Sequence, residues 1–206
     1  MITALRTAFS QIATLGGPVV LLLIGVSVIA LTVVFYKLWQ FSVAHVGRHD
    51  ALGQAIDAWD QGEREAAHRY VTQSKSYLRE LIGLAMSGQT DHARLEAEAE
   101  TRFARLESGF RILDMIAQLS PLMGLFGTVL GMISAFQSLQ DAGAQVDPAV
   151  LAGGIWVALL TTAVGLAVAM PTSVFLSWFE ARMDRDRIFA ERALRTILSP
   201  SDRAHA

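Results

Sequence analysis

Two stretches decide the reading of this chain: SPLMGLFGTVLGMISAF (120–136) and GGIWVALLTTAVGLAVAMPTSV (153–174). Each lies inside a longer run without Asp, Glu, Lys or Arg, from Asp114 to Asp141 and from Asp147 to Glu180. A third such run lies between Arg6 and Lys37, with PVVLLLIGVSVIALTVVF at its centre. A membrane-crossing helix needs about 20 mostly apolar residues, and each run is long enough. The sequence therefore predicts an all-α integral membrane protein with three transmembrane helices, at 15–36, 113–139 and 150–179. Tyr36, Trp39, Trp178 and Phe179 fall near span ends, where aromatic rings favour the headgroup layer.

Composition agrees. Of 206 residues, 52% are apolar and 17% charged, and the mean hydropathy is +0.39. A soluble domain carries about 25% charge. The net charge of −2 excludes the basic excess of a nucleic-acid binder. With no cysteine there is no disulfide framework, thiol nucleophile or cysteine metal site. The first apolar run exceeds the 7–15 residues of a signal-peptide core and reads as a retained anchor.

Orientation follows from the basic residues. The segment 37–112 holds ten Lys and Arg, the tail after Phe179 holds six, and the loop 140–149 holds none. The positive-inside rule places 37–112 and the tail 180–206 in the cytoplasm, with the N-terminus and the loop 140–149 on the other side of the membrane. Ile2, Leu5, Phe9 and Ile12 predict an amphipathic segment over 1–14 lying on the membrane surface. Within 37–112, two short helices are expected to be split at Gly62, and a third to end at Gly88. The charged run from Asp91 shows no interruption, so one helix of about 50 residues is expected to continue into the second span. The third span is expected to continue likewise, with Met183, Ile188, Leu194 and Leu198 as a packing stripe. Helices 2 and 3 would thus extend into a cytoplasmic helical bundle.

The spans carry the chemistry. Ala117, Pro121, Gly124, Thr128, Gly131, Ala135 and Ser138 recur every three or four residues and share one helical face, beside Gly127. Gly154, Ala158, Thr162, Gly165, Ala169 and Thr172 form a second such face, with Val157 and Thr161 beside it. Small faces let helices approach closely in lipid. A second reading makes them the lining of a narrow polar path, because the hydroxyls of Thr128 and Thr162 can donate, accept or hold a water. Threonine in lipid also bonds its own helix carbonyls, so both readings stand. Pro121 and Pro171 lie inside spans and are expected to kink them. No titratable residue lies deep in a span. A proton-driven device needs a charge that moves in the field, so the carboxylate would have to come from a partner helix. His45 and His49 have a spacing that suits a metal, but an ordinary solvated role is expected, and no metal or cofactor is assigned. No nucleophile–base pair or phosphate loop is present, so an enzyme is not expected.

The two quoted stretches resemble the second- and third-span signatures of the MotA/TolQ/ExbB proton-channel family, most closely its ExbB and TolQ members. The resemblance implies a homopentamer in the bacterial inner membrane, around an ExbD- or TolR-like single-span partner that brings a membrane aspartate. It implies proton flow that energises transport or envelope work through a TonB- or TolA-like protein. The family's pore threonines fall on Thr128 and Thr162, Thr161 beside them is expected to line the same proton path, and the family's span prolines fall on Pro121 and Pro171. One departure stands out. Many members carry a glutamate where this chain has Val157. A non-conducting scaffold that assembles a partner complex is the alternative that this departure suggests.

Overall fold

The computed structural model describes residues 2–88, 91–141 and 148–199, with backbone alone over 2–16 and at 150. Among these the chain forms seven helices: α1 (Ile2–Ala44), α2 (Asp50–Asp60), α3 (Arg64–Gln73), α4 (Arg79–Met86), α5 (His92–Glu107), α6 (Phe110–Asp141) and α7 (Pro148–Leu198). Three are long and apolar enough to cross a membrane, over Gly17–Ala44, Phe110–Asp141 and Leu151–Leu198.

The helix breaks follow from local chemistry. α1 is interrupted at Gly17, whose φ of 65° and ψ of −172° are open to glycine but strained for other residues. Pro18 then opens the apolar stretch, where its missing N–H costs nothing. Gly62 (φ 84°) separates α2 from α3, and Gly88 (φ 66°) follows the end of α4. The expected helix of about 50 residues is corrected: α5 and α6 are separate, with 16 and 32 residues. Ser108 is extended and Gly109 has φ 93°. The ammonium of Lys37 donates to the Leu106 carbonyl at 2.8 Å, satisfying a last-turn acceptor at the break.

The chain divides into two compact units, one of residues 1–35 and 109–176, the other of 36–108 and 177–206. In the first, α6 and α7 pack closely, and Val20, Leu23, Ala30 and Val34 are the buried residues of α1. Its outward side chains are large and apolar, such as Leu122, Phe126, Leu159 and Met170, as contact with lipid or other helices in lipid requires. The second unit has a conventional core: Leu52 and Ala55 from α2, Ala67 from α3, Leu81 and Ile82 from α4, Phe103 from α5, and Met183 and Ala193 from α7. The tail stripe is corrected in part. Met183 and Leu194 are buried, but Ile188 is 66% exposed, and Asp186 and Ala190 take the inward places. Phe179 is fully buried, with its ring edge-on to Phe41 at 5.2 Å.

Candidate functional site

The two small-residue faces meet within the first unit. A Cβ placed on Gly124 would lie 2.9 Å from the Thr161 carbonyl oxygen and 3.0 Å from Thr162 Cα. One on Gly165 would lie 2.5 Å from the Ser120 carbonyl oxygen and 3.1 Å from Gly124 Cα. Gly131 faces Ala158, and Gly154 faces the Ala135 methyl at a 2.5 Å virtual distance. Side chains larger than hydrogen would push the helices apart. In lipid, where apolar burial drives little association, this close packing is the principal attraction available.

The register of the contact differs from that of a single mean face. On α6 the buried line is Ser120, Gly124, Gly127 and Ala135. On α7 it is Ala158, Thr161, Ala169 and Thr172, with Gly165 between them. Thr161 is therefore the threonine at the contact. It is 2% exposed and packs on Gly127. Its Oγ1 lies 2.7 Å from the Ala158 carbonyl and 3.1 Å from the Gly124 carbonyl across the interface, so one proton is shared between the two helices.

Thr128 and Thr162 sit to either side of that line and are half-buried. Thr128 donates to the Leu125 carbonyl at 2.6 Å and lines an open hollow along α6 with Val129, Met132, Phe136 and Gln137. Thr162 is different. Its Oγ1 is buried and has no hydrogen-bond partner. Thr128 and Thr161 each bond the carbonyl three residues back on their own helix, whereas Thr162 does not. An unsatisfied buried hydroxyl costs about 1–3 kcal/mol.

Val157 is half-buried beside Ala158. Pro121 and Pro171 lie inside helices that remain unbroken. Each has a neighbouring hydroxyl folded back onto its own helix, Ser120 to Ile116 at 2.7 Å and Thr172 to Val168 at 2.7 Å. His45 and His49 do not converge. His45 Nδ1 faces the Val43 carbonyl, and His49 lies against Ser76 and Asp186. Ser120 is the residue that sequence reasoning missed: it is fully buried, and its carbonyl underlies Gly165. Its step of four before Gly124 was the available signal.

Residues 64–191 match the family described as the MotA/TolQ/ExbB proton channel family. The chain is 33% identical over 162 residues to the putative biopolymer transport protein ExbB-like 1 of Synechocystis, covering 75% of this chain and 64% of that protein. It is 38% identical over 93 residues to the biopolymer transport protein exbB1 of Vibrio cholerae, covering 45% of this chain and 41% of the relative. It is 38% identical over 80 residues to the Tol-Pal system protein TolQ of Pseudomonas aeruginosa, covering 39% of this chain and 34% of the relative. The chain thus spans less than two thirds of the length of these relatives.

Proposed function

Since the chain belongs to the MotA/TolQ/ExbB proton channel family, we propose that it is the ExbB/TolQ-like subunit of a motor driven by the proton-motive force in the bacterial inner membrane. In this reading five copies surround an ExbD- or TolR-like single-span partner. The motor energises TonB- or TolA-dependent transport or envelope work. The N-terminus is periplasmic, and the second compact unit lies in the cytoplasm. Thr128 and Thr162 line the proton path, and Thr161 holds the path's wall together.

The observation that carries the reading is the unpartnered Thr162 hydroxyl, buried within a span that offers no titratable group of its own. Its oxygen is covered within the lone subunit, so the half-buried side chain has to turn outward to meet a polar group from outside the subunit. A carboxylate on a foreign helix is suited to it, because a desolvated carboxylate binds a proton more readily than an exposed one.

A non-conducting scaffold is the competing reading, and Val157 favours it, since an apolar side chain stands where many family members carry a glutamate. Proteoliposomes holding the chain with its single-span partner separate the two. Proton flux is expected, lost on exchange of the partner's membrane aspartate for asparagine and on Thr162→Val, and retained in Thr162→Ser. Absence of flux in the unaltered complex favours the scaffold. Undiminished flux in Thr162→Val removes Thr162 from the path.

A further inference from the structure

Outside the membrane spans' seam, the chain buries ionisable side chains that the proposed proton path does not use. Asp186 on α7 is 1% exposed. Its Oδ2 accepts from the Gly47 N–H at 3.1 Å and from the Tyr77 hydroxyl at 3.0 Å. Its Oδ1 lies 2.9 Å from His49 Nε2. The other ring nitrogen, His49 Nδ1, lies 2.9 Å from Ser76 Oγ. The imidazole stacks on Phe189 of α7, with centroids 4.7 Å apart. One carboxylate thus fastens the α1–α2 turn (Gly47, His49) and the α3–α4 turn (Ser76, Tyr77) to α7. One turn back on α7, Arg182 adds to the clamp by donating to the Val46 carbonyl at 3.1 Å and lying across Gly47. Gly47 is required there, because its φ is 69°.

We propose that the buried His49–Asp186 pair is a proton-sensitive latch that holds these two turns on α7 while His49 is charged and loosens when it is neutral. The Nε2–Oδ1 separation is short, yet Nε2 makes no aligned hydrogen bond. A misaligned contact between ionised groups keeps its Coulombic attraction, whereas the same contact with a neutral ring keeps little, because hydrogen bonds weaken steeply off-line. The Ser76 hydroxyl serves both states, accepting from Nδ1–H or donating to bare Nδ1.

The surroundings do not replace that charge. Arg182 is turned to Val46, Arg102 on α5 donates to the Tyr77 carbonyl, and Arg187 on α7 pairs with Glu100 and Glu107. Asp50 and Lys75, flanking the two turns in sequence, are solvent-exposed. Tyr77 stays a hydroxyl donor throughout, since burial and the Asp186 charge push its ionisation upward. Histidine is the side chain that changes charge between pH 5 and 8.

The latch stands independently of proton conduction, and its test reads stability rather than flux. Thermal unfolding of the full chain in detergent is compared at pH 5.5 and pH 8. The unaltered chain is expected to lose about 5 °C of Tm on going to pH 8. His49→Gln and Asp186→Asn are each expected to abolish most of that loss, and His92→Gln to leave it intact. An unchanged pH dependence in His49→Gln overturns the proposal. Should either variant fail to fold, hydrogen exchange of the unaltered chain decides. Amide protection over 45–49 and 76–78, corrected for intrinsic rates, is expected to fall about tenfold from pH 5.5 to pH 8 relative to α5. Equal protection at both pH values overturns the latch.

Discussion

At the residue scale, adjacent threonines have opposite fates. Successive residues on a helix are about 100° apart, so Thr161 enters the α6–α7 contact while Thr162 turns to its edge. Thr161 shares its proton with two carbonyls, and Thr162 Oγ1 has none. Tyr77 shows a comparable dependence on surroundings in the second unit. Its hydroxyl donates to Asp186, and burial raises its ionisation above that of a free phenol. A phenol whose folded-state ionisation is raised stabilises the fold fully below the unfolded value near pH 10, and that contribution is lost as pH rises above it. Tyr77→Phe is therefore expected to cost about 1–2 kcal/mol at neutral pH by leaving Asp186 one donor short. It should also flatten the fall in stability above about pH 10. Denaturant titrations at pH 7 and above pH 10 check both effects.

At the element scale, the contact between α6 and α7 depends on side chains that are missing. Gly165→Ala places a methyl against the Ser120 carbonyl, a backbone atom that cannot swing aside. The expected cost is about 1–3 kcal/mol. Gly25→Ala and Gly153→Ala meet nothing within 4 Å and are expected to be near neutral or mildly stabilising in their helices. Unfolding in mixed micelles compares the three; an equal gain in all three would show that the glycines act through helix propensity alone. Gly109→Ala addresses the α5–α6 break. With φ at 93°, the substitution is expected to cost about 1–2 kcal/mol. The break was the least legible element in the sequence. LESGFRIL continues the spacing of both flanking helices, and one Ser-Gly pair is a weak stop signal. The deciding partner, the Lys37 ammonium on the Leu106 carbonyl, stands 69 residues away.

At the scale of the whole molecule, assembly and orientation are both measurable. Native mass spectrometry of the purified protein is expected to give a homopentamer; a monomer under mild detergent would overturn the five-subunit ring on which the proposed motor depends. Because the chain has no cysteine, single-cysteine variants report sidedness cleanly. Ser87→Cys is expected to resist a membrane-impermeant thiol reagent in cells with a permeabilised outer membrane, and Gln140→Cys to react. The reverse pattern would invert the topology.

The sequence by itself determined the three charge-free spans, the two faces of small residues and the family, because lipid tolerates few charges and glycine at helical spacing leaves a visible pattern. It also determined the breaks at Gly62 and Gly88, where turn residues act locally. Only the tertiary structure decided which residues of each face touch, since a shift of one residue is invisible in a spacing of three or four. It alone revealed that Thr161 carries the packing, that Ser120 underlies Gly165, and that Asp186, an ordinary acid in a charged tail by sequence, is buried. Those outcomes depend on groups distant in the chain that meet only when the helices pack.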